Sequence, residues 1–286
     1  MTEHAIVIIG LPGSGKTTFL AALWHLVEES DIDTVLRFHN LQGVKAAHLN
    51  KISARWRDAK VQDRTAVGDN QIVAMNLLDA EETPMKVTFP DLSGEVYRRM
   101  WEERDCAPEV FEALNAEGVL LFIHADTIRP PRWVVDDVAQ SKKLGLGVSE
   151  GEEIPWHPDL APTQVQLVDL LQLLRLPPLD VGPRRLAIML SAWDKVSEER
   201  LSPGDYLENK LPLLGQYLRS GADGWTYQVY GLSAQGGDYD PVEKDAERSP
   251  EAEELRDLDS PSTRIKLLQG SNSSHDLTEP LAWLMA

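Results

Sequence analysis

Apolar and polar positions along the 286 residues follow two alternating periods. Short apolar runs suited to strands are separated by stretches whose apolar residues recur every three or four positions, as in helices. The first run, Ala5-Ile6-Val7-Ile8-Ile9, passes through a glycine-rich turn into a helix from Lys16 to about Val27. That helix carries Phe19, Leu20, Leu23 and Val27 on one face. Asp31 to Asn70 is polar, with one helical pattern near Val44–Lys60. Gln71–Leu78 and Met85–Phe89 are predicted strands, and the short Asp79–Pro84 link makes them an antiparallel hairpin. A helical pattern over about Val96–Ala116 precedes the uninterrupted apolar strand Gly118–His124. Helix Thr163–Leu174, strand Leu186–Leu190, helix Asp205–Ser220, strand Tyr227–Leu232 and helix Leu277–Met285 complete the series. This alternation predicts an α/β fold in three layers, α/β/α. Its sheet is six-stranded and mostly parallel, with one antiparallel strand, and is covered on both faces.

The expected organisation is a single domain over residues 1–286 with insertions at about 31–70 and 126–162 and an acidic segment at 236–262. The 126–162 stretch carries Pro, Gly and Trp without sustained period. Gly236–Ser262 holds ten acids against three bases, a charge of −7 by that count, so part of it is expected to lack fixed structure. The formal net charge of −18 argues against sequence-independent nucleic-acid binding, which needs basic patches, and against docking on anionic membranes. One cysteine, Cys106, excludes an internal disulfide and any Cys-based zinc site. No apolar run approaches the roughly 20 residues of a membrane span. A cytoplasmic protein is the expectation.

The chemistry begins at Gly10-Leu11-Pro12-Gly13-Ser14-Gly15-Lys16-Thr17, a complete G-x-x-x-x-G-K-[ST] phosphate-binding loop between a strand and a helix. In such a P-loop, glycines let backbone N–H groups curl around the β-phosphate, and the helix N-terminus adds partial positive charge. Gly10, Gly13, Ser14, Gly15, Lys16, Thr17 and Thr18 form the phosphate-binding set. Lys16 reaches the β- and γ-phosphate oxygens, and the Thr17 hydroxyl ligates Mg²⁺. After the strand Val87-Thr88-Phe89 comes Asp91-Leu92-Ser93-Gly94-Glu95. A strand-end carboxylate there can hold Mg²⁺ through water, and the Gly94 N–H can approach the γ-phosphate closely. Two further strand ends carry Ser191-Ala192-Trp193-Asp194 and Ser233-Ala234-Gln235.

In this order, these four stretches resemble the motifs of the Ras-like, translation-factor-related (TRAFAC) class of P-loop GTPases. That class carries a P-loop, D-x-x-G, N/T-K-x-D and S-A-K, each at the C-terminal end of a strand. The resemblance gives Asp194 the task of pairing with guanine N1–H and the 2-amino group, and gives the Ala234 N–H that of meeting guanine O6. Trp193, Asp194, Ser233 and Ala234 are therefore the expected base site. Ala192 stands where the class has a lysine that covers the base and braces the P-loop. Trp193 or Lys195 covers the base instead, or Trp193 belongs to the core. Ser191 keeps a hydroxyl where the class has Asn or Thr, and Gln235 replaces the class lysine. Pro12 replaces a glycine found in much of the class.

Glu95 takes the position of the glutamine that orients the attacking water, or is an acid at a helix N-terminus. Thr65 closes over Mg²⁺ and the γ-phosphate, or is a solvated loop residue. Tyr97-Arg98-Arg99-Met100 contacts phosphate or a partner, or is an exposed helix face. His124 and Asp126 end a strand on the nucleotide side but lack companions at metal-ligand spacing. Within the class, the long insertions, the D-L-S-G-E form and the W-D motif look most similar to bacterial GTPases of the double-GTPase type, thought to act in conflict or signalling systems.

The resemblance implies Mg²⁺-dependent hydrolysis of GTP to GDP and phosphate, slow without a partner. Lys16, Gly94 and Glu95 are its catalytic group, and Thr17, Asp91 and Thr65 the metal group. The chain would act as a switch for an effector or activating protein. A P-loop ATPase of another class and a non-hydrolysing nucleotide-binding scaffold are the alternatives.

Overall fold

The computed structural model describes residues 4–42, 46–62, 71–91, 100–105, 108–131, 135, 142–143, 157, 160–240 and 249–286. Five parallel strands form the centre of one sheet: β1 (His4–Gly10), β4 (Pro84–Asp91), β5 (Gly118–His124), β6 (Arg184–Ser191) and β7 (Trp225–Ser233). Strand β3 (Gln71–Leu78) pairs antiparallel with β4, as the hairpin reading expected. The sheet is larger than the expected six strands. With β2 (Arg37–Gln42), β8 (Lys266–Gln269) and β9 (Asn272–Ser274) it is a mixed, nine-stranded sheet in the order β2-β3-β4-β1-β5-β6-β7-β8-β9.

The three added strands lie at the two margins; β2 and β9 are the edge strands, and β8 pairs with both β7 and β9. Strand β2 has only Phe38 and Leu41 as large apolar residues, and its register shifts between Phe38 and Asn40, so period-two alternation is absent. Strands β8 and β9 are too short to show a period. They join through Gly270-Ser271, with Gly270 at φ +57°, a left-handed value that glycine adopts without a steric penalty.

The layers follow from side-chain alternation along each central strand. On β1, Ile6 and Ile8 face one buried cluster with Leu120, Phe122, Ala187 and Met189. That face is covered by α1 (Lys16–Glu29), α2 (Ala46–Arg57), α7 (Pro250–Arg256) and α8 (Glu279–Met285). Val7 and Ile9 point the other way, to a second cluster with Val119, Leu121, Ile188 and Leu190. There the cover is α3 (Pro108–Leu114), α4 (Thr163–Leu173), α5 (Pro203–Lys210) and α6 (Pro212–Ser220).

Two expected helices are interrupted, one of them at a proline. The Asp205–Ser220 pattern divides into α5 and α6 at Leu211, whose φ −130° and ψ 54° leave the helical region. A residue before proline is disfavoured there, and Pro212 has no N–H to continue the ladder. Residues 100–103 are helical, but Arg104 turns to φ +57° and α3 restarts at Pro108. The polar 31–70 stretch contributes both β2 and α2. Helix α2 packs on α1, where the Trp24 indole donates to Asn50 Oδ1 at 2.8 Å. Among the described residues, no helix is long and apolar enough to cross a membrane.

Candidate functional site

All the parallel strands point their C-terminal ends to one edge, where open α/β sheets gather their ligand-binding loops. The loop after β1 packs closely on its neighbours. Gly10 has φ +155°, and a Cβ there would lie 2.6 Å from the Phe122 carbonyl oxygen and 2.7 Å from Ser14 Oγ. Gly15, at φ +87°, caps α1, and its Cβ would meet the Ser191 side chain at 3.1 Å. Lys16 folds back over the loop: its Nζ donates to the Gly10 carbonyl (2.8 Å), the Leu11 carbonyl (3.0 Å) and Ser14 Oγ (3.3 Å). The ammonium thus sits at the mouth of the loop beside the first turn of α1, which holds Thr17 and Thr18.

Beside that turn opens a cavity of about 400 Å³. Gly15 and Thr18 border it on the P-loop side, Ala192, Asp194 and Lys195 after β6, and Ala234, Gln235 and Asp238 after β7. The structure therefore brings together three of the four sequence motifs. Ser191 joins two of them directly: its buried hydroxyl donates to the Ser14 carbonyl at 2.9 Å, with a longer contact of 3.4 Å to the Ile123 carbonyl. Ala192 then takes φ 53° and ψ 42°, a left-handed turn that starts the short 3-10 segment Trp193–Glu199. Lys195 reaches across the cavity mouth to the Asp238 carboxylate. This hydrogen bond and the surrounding acids hold the Lys195 ammonium above its ordinary pKa.

Two of the expected base residues take other places. The Trp193 ring is 7% exposed and packs against Gly231 and edge-on to Tyr206, with ring centroids 5.2 Å apart at 77°. It belongs to the core and does not border the cavity. Ser233 is buried, and its Oγ accepts the Gly236 N–H at 3.3 Å, shaping the turn that presents Ala234.

The end of β5 and the loop after it add His124, Asp126 and Thr127 to the cavity wall; the sequence puts His124 and Asp126 on the nucleotide side without giving them a role, and does not single out Thr127. The available signal was positional: His124 ends a fully apolar strand and pairs in register with Ser191. Burial lowers the His124 pKa, against the opposing pull of Asp126 and Asp194. His124 and Thr127 also border a second cavity of about 230 Å³, with Leu11, Pro12, Ser14 and Arg129.

Asp91 ends β4. Strands β1 and β4 are parallel with Val7 opposite Thr88, so the same register continued brings Asp91 level with Gly10. Thr65, Gly94 and Glu95 lie outside the described residues, as do Cys106 and the 97–99 part of the arginine segment.

A parallel-centred sheet, a glycine loop capping α1 and a cavity between strand-end loops define a P-loop nucleotide-binding α/β protein. The Double-GTPase 1 family pattern matches residues 7–284, and the chain belongs to that family. No curated protein matches the sequence. Among solved structures, the chain is similar to the bacterial selenocysteine-specific elongation factor EF-Sec (13% identity, TM-score 0.38, 82% of this chain and 27% of that one). It is also similar to the S. cerevisiae Ski7 GTPase-like domain bound to GDP and inorganic phosphate (13% identity, TM-score 0.42, 90% of this chain and 50% of that one). A third is the signal recognition particle receptor SRb-GTP/SRX complex from Chaetomium thermophilum (13% identity, TM-score 0.40, 82% of this chain and 92% of that one). The chain thus spans about a quarter of the first of these and half of the second.

Proposed function

We propose that this protein binds GTP in the cavity beside the P-loop, hydrolyses it slowly with Mg²⁺, and uses the change to switch its contacts with a partner protein. The observation that carries this reading is the Ser191–Ser14 hydrogen bond. It makes the base-side motif and the phosphate loop one rigid unit, with Asp194 and Ala234 on the wall of the cavity that begins at Gly15.

In this reading the loop amides from Gly13 to Thr18 and the α1 N-terminus hold the phosphates. Lys16 exchanges its loop-carbonyl partners for β- and γ-phosphate oxygens and stabilises charge developing there. Asp194 accepts hydrogen bonds from guanine N1–H and the 2-amino group, and Ala234 offers its N–H to O6. The Lys195–Asp238 pair closes the mouth where the missing lysine would have covered the base. The donor set suits Mg²⁺, which prefers few protein oxygens and keeps water and phosphate ligands. Thr17 supplies a hydroxyl, and Asp91 a carboxyl at the end of the neighbouring strand. When bound, the ion neutralises charge between the β- and γ-phosphates. Gly94 would approach the γ-phosphate, Glu95 would orient water, and Thr65 would close over the site. The segments around Thr65 and residues 91–100 would then be ordered by the γ-phosphate and released on hydrolysis.

Calorimetric titration of nucleotide-free protein with GTP and then ATP, in Mg²⁺, tests the reading. GTP is expected to bind at least about tenfold tighter, or 1.4 kcal/mol. Equal or ATP-favoured binding would overturn the guanine assignment and favour an ATPase of another class. Selective binding without phosphate release would leave a nucleotide-dependent scaffold.

A further inference from the structure

The turn that carries Ala234 is held by residues far from it in sequence. Trp56, near the end of α2, is fully buried, and its indole N–H donates to the Ala234 carbonyl at 2.8 Å. The Arg264 guanidinium lies 3.6 Å from the centre of the Trp56 ring and donates to the Trp56 and Arg57 carbonyls at the end of α2. Gly236, at φ +84°, packs so closely that a Cβ would fall 2.8 Å from both the Arg264 Cβ and its carbonyl oxygen. Trp56, Ala234, Gly236 and Arg264 therefore close a ring of contacts. The Asp240 N–H extends it by donating to the Ala59 carbonyl at 3.1 Å.

These contacts have a directional consequence. A buried carbonyl left without a donor is costly, so the Ala234–Gln235 peptide is held in the orientation that meets the indole. The neighbouring Ala234 N–H, in the same turn of a residue that lines the cavity, inherits that restriction. Stacking on Trp56 and capping the end of α2, where a cation is favoured, keep Arg264 in place in turn. Helix α2 thus contacts the turn that carries Ala234 directly and through Arg264.

We propose that Trp56 is a positioning residue for base recognition, setting the Ala234 peptide for its purine partner; this rests on the reading of the cavity as a guanine site. The test is Trp56→Phe, which keeps the ring between His25 and Arg264 but removes the N–H donor. Calorimetry with Mg²⁺ compares GTP, ATP and inorganic tripolyphosphate, which engages the P-loop without a base. The expected result is about a tenfold loss of GTP affinity, with tripolyphosphate affinity unchanged within about twofold. An equal loss for both ligands would assign Trp56 a purely structural role and overturn the proposal, as would unaltered GTP selectivity. Wild-type protein that binds GTP no better than ATP would instead sink the guanine reading.

A second measurement needs no variant. The assigned Trp56 indole N–H resonance should shift with GTP and stay in place with tripolyphosphate. Equal shifts with both ligands, or none with GTP, would overturn the proposal.

Discussion

Gly231→Ala probes the link between core packing and the base side of the site. Gly231 lies on β7 with the Trp193 ring against it: an added Cβ would sit 2.6 Å from Cδ2, 2.7 Å from Cγ and 2.8 Å from Cε2. Ordinary carbon contacts fall near 3.5–4.0 Å, so the methyl overlaps three ring atoms by about 1 Å. Tyr206 packs edge-on to the ring and is itself anchored by a hydroxyl that donates to the Ala125 carbonyl at 3.0 Å. Overpacking of this kind costs about 1–3 kcal/mol. For a chain of this order, that is a fall of roughly 2–4 °C in melting temperature per kcal/mol.

Because Asp194 follows Trp193 directly, the displaced ring should also carry the carboxylate out of register and lower the GTP/ATP affinity ratio. Thermal melts and calorimetry on Gly231→Ala, Trp193→Leu and the double variant provide the assay. Removing the ring should offset the Gly231→Ala cost, giving a coupling of at least about 1 kcal/mol between the two sites. Gly231→Ala melting like the wild type, or costs that simply add, would refute the packing argument.

Ser191→Ala removes the donor to the Ser14 carbonyl. It should cost about 1–3 kcal/mol locally and weaken GTP and ATP alike, by about tenfold; calorimetry showing unchanged affinity would deny Ser191 its bracing role. Lys195→Ala opens the clasp to Asp238. Since both groups are exposed, stability should move by less than about 0.5 kcal/mol, while stopped-flow release of a fluorescent GDP analogue becomes several-fold faster. Burial lowers the pKa of both His25 and His124 below 6.5. Below that pH the unfolded chain binds protons that the folded imidazoles refuse, so their stabilisation is full above 6.5 and lost as pH falls through the lowered folded values. Melting temperature should therefore drop between pH 7 and 5, and less steeply in His25→Gln; an identical slope would remove His25 from the account.

The sequence by itself determined the parts whose chemistry is local. The P-loop is legible because its glycines, lysine and threonine act through adjacent backbone. The central strands are legible because two buried faces demand long apolar runs such as Gly118–His124. The order of strand-end motifs is enough to bring Asp194 and Ala234 to the edge of the sheet that carries the loop. Only the tertiary structure decided what depends on distant partners. Strands β2, β8 and β9 exist because neighbouring strands supply their hydrogen bonds, which runs of three to six residues without a sustained apolar period cannot announce. Trp193 turned to the core because Gly231, on β7, leaves room for its ring. The link from Trp56 to Ala234 spans 178 positions. No local period encodes it, since a single buried N–H and a single carbonyl meet only after two helices and a sheet have packed.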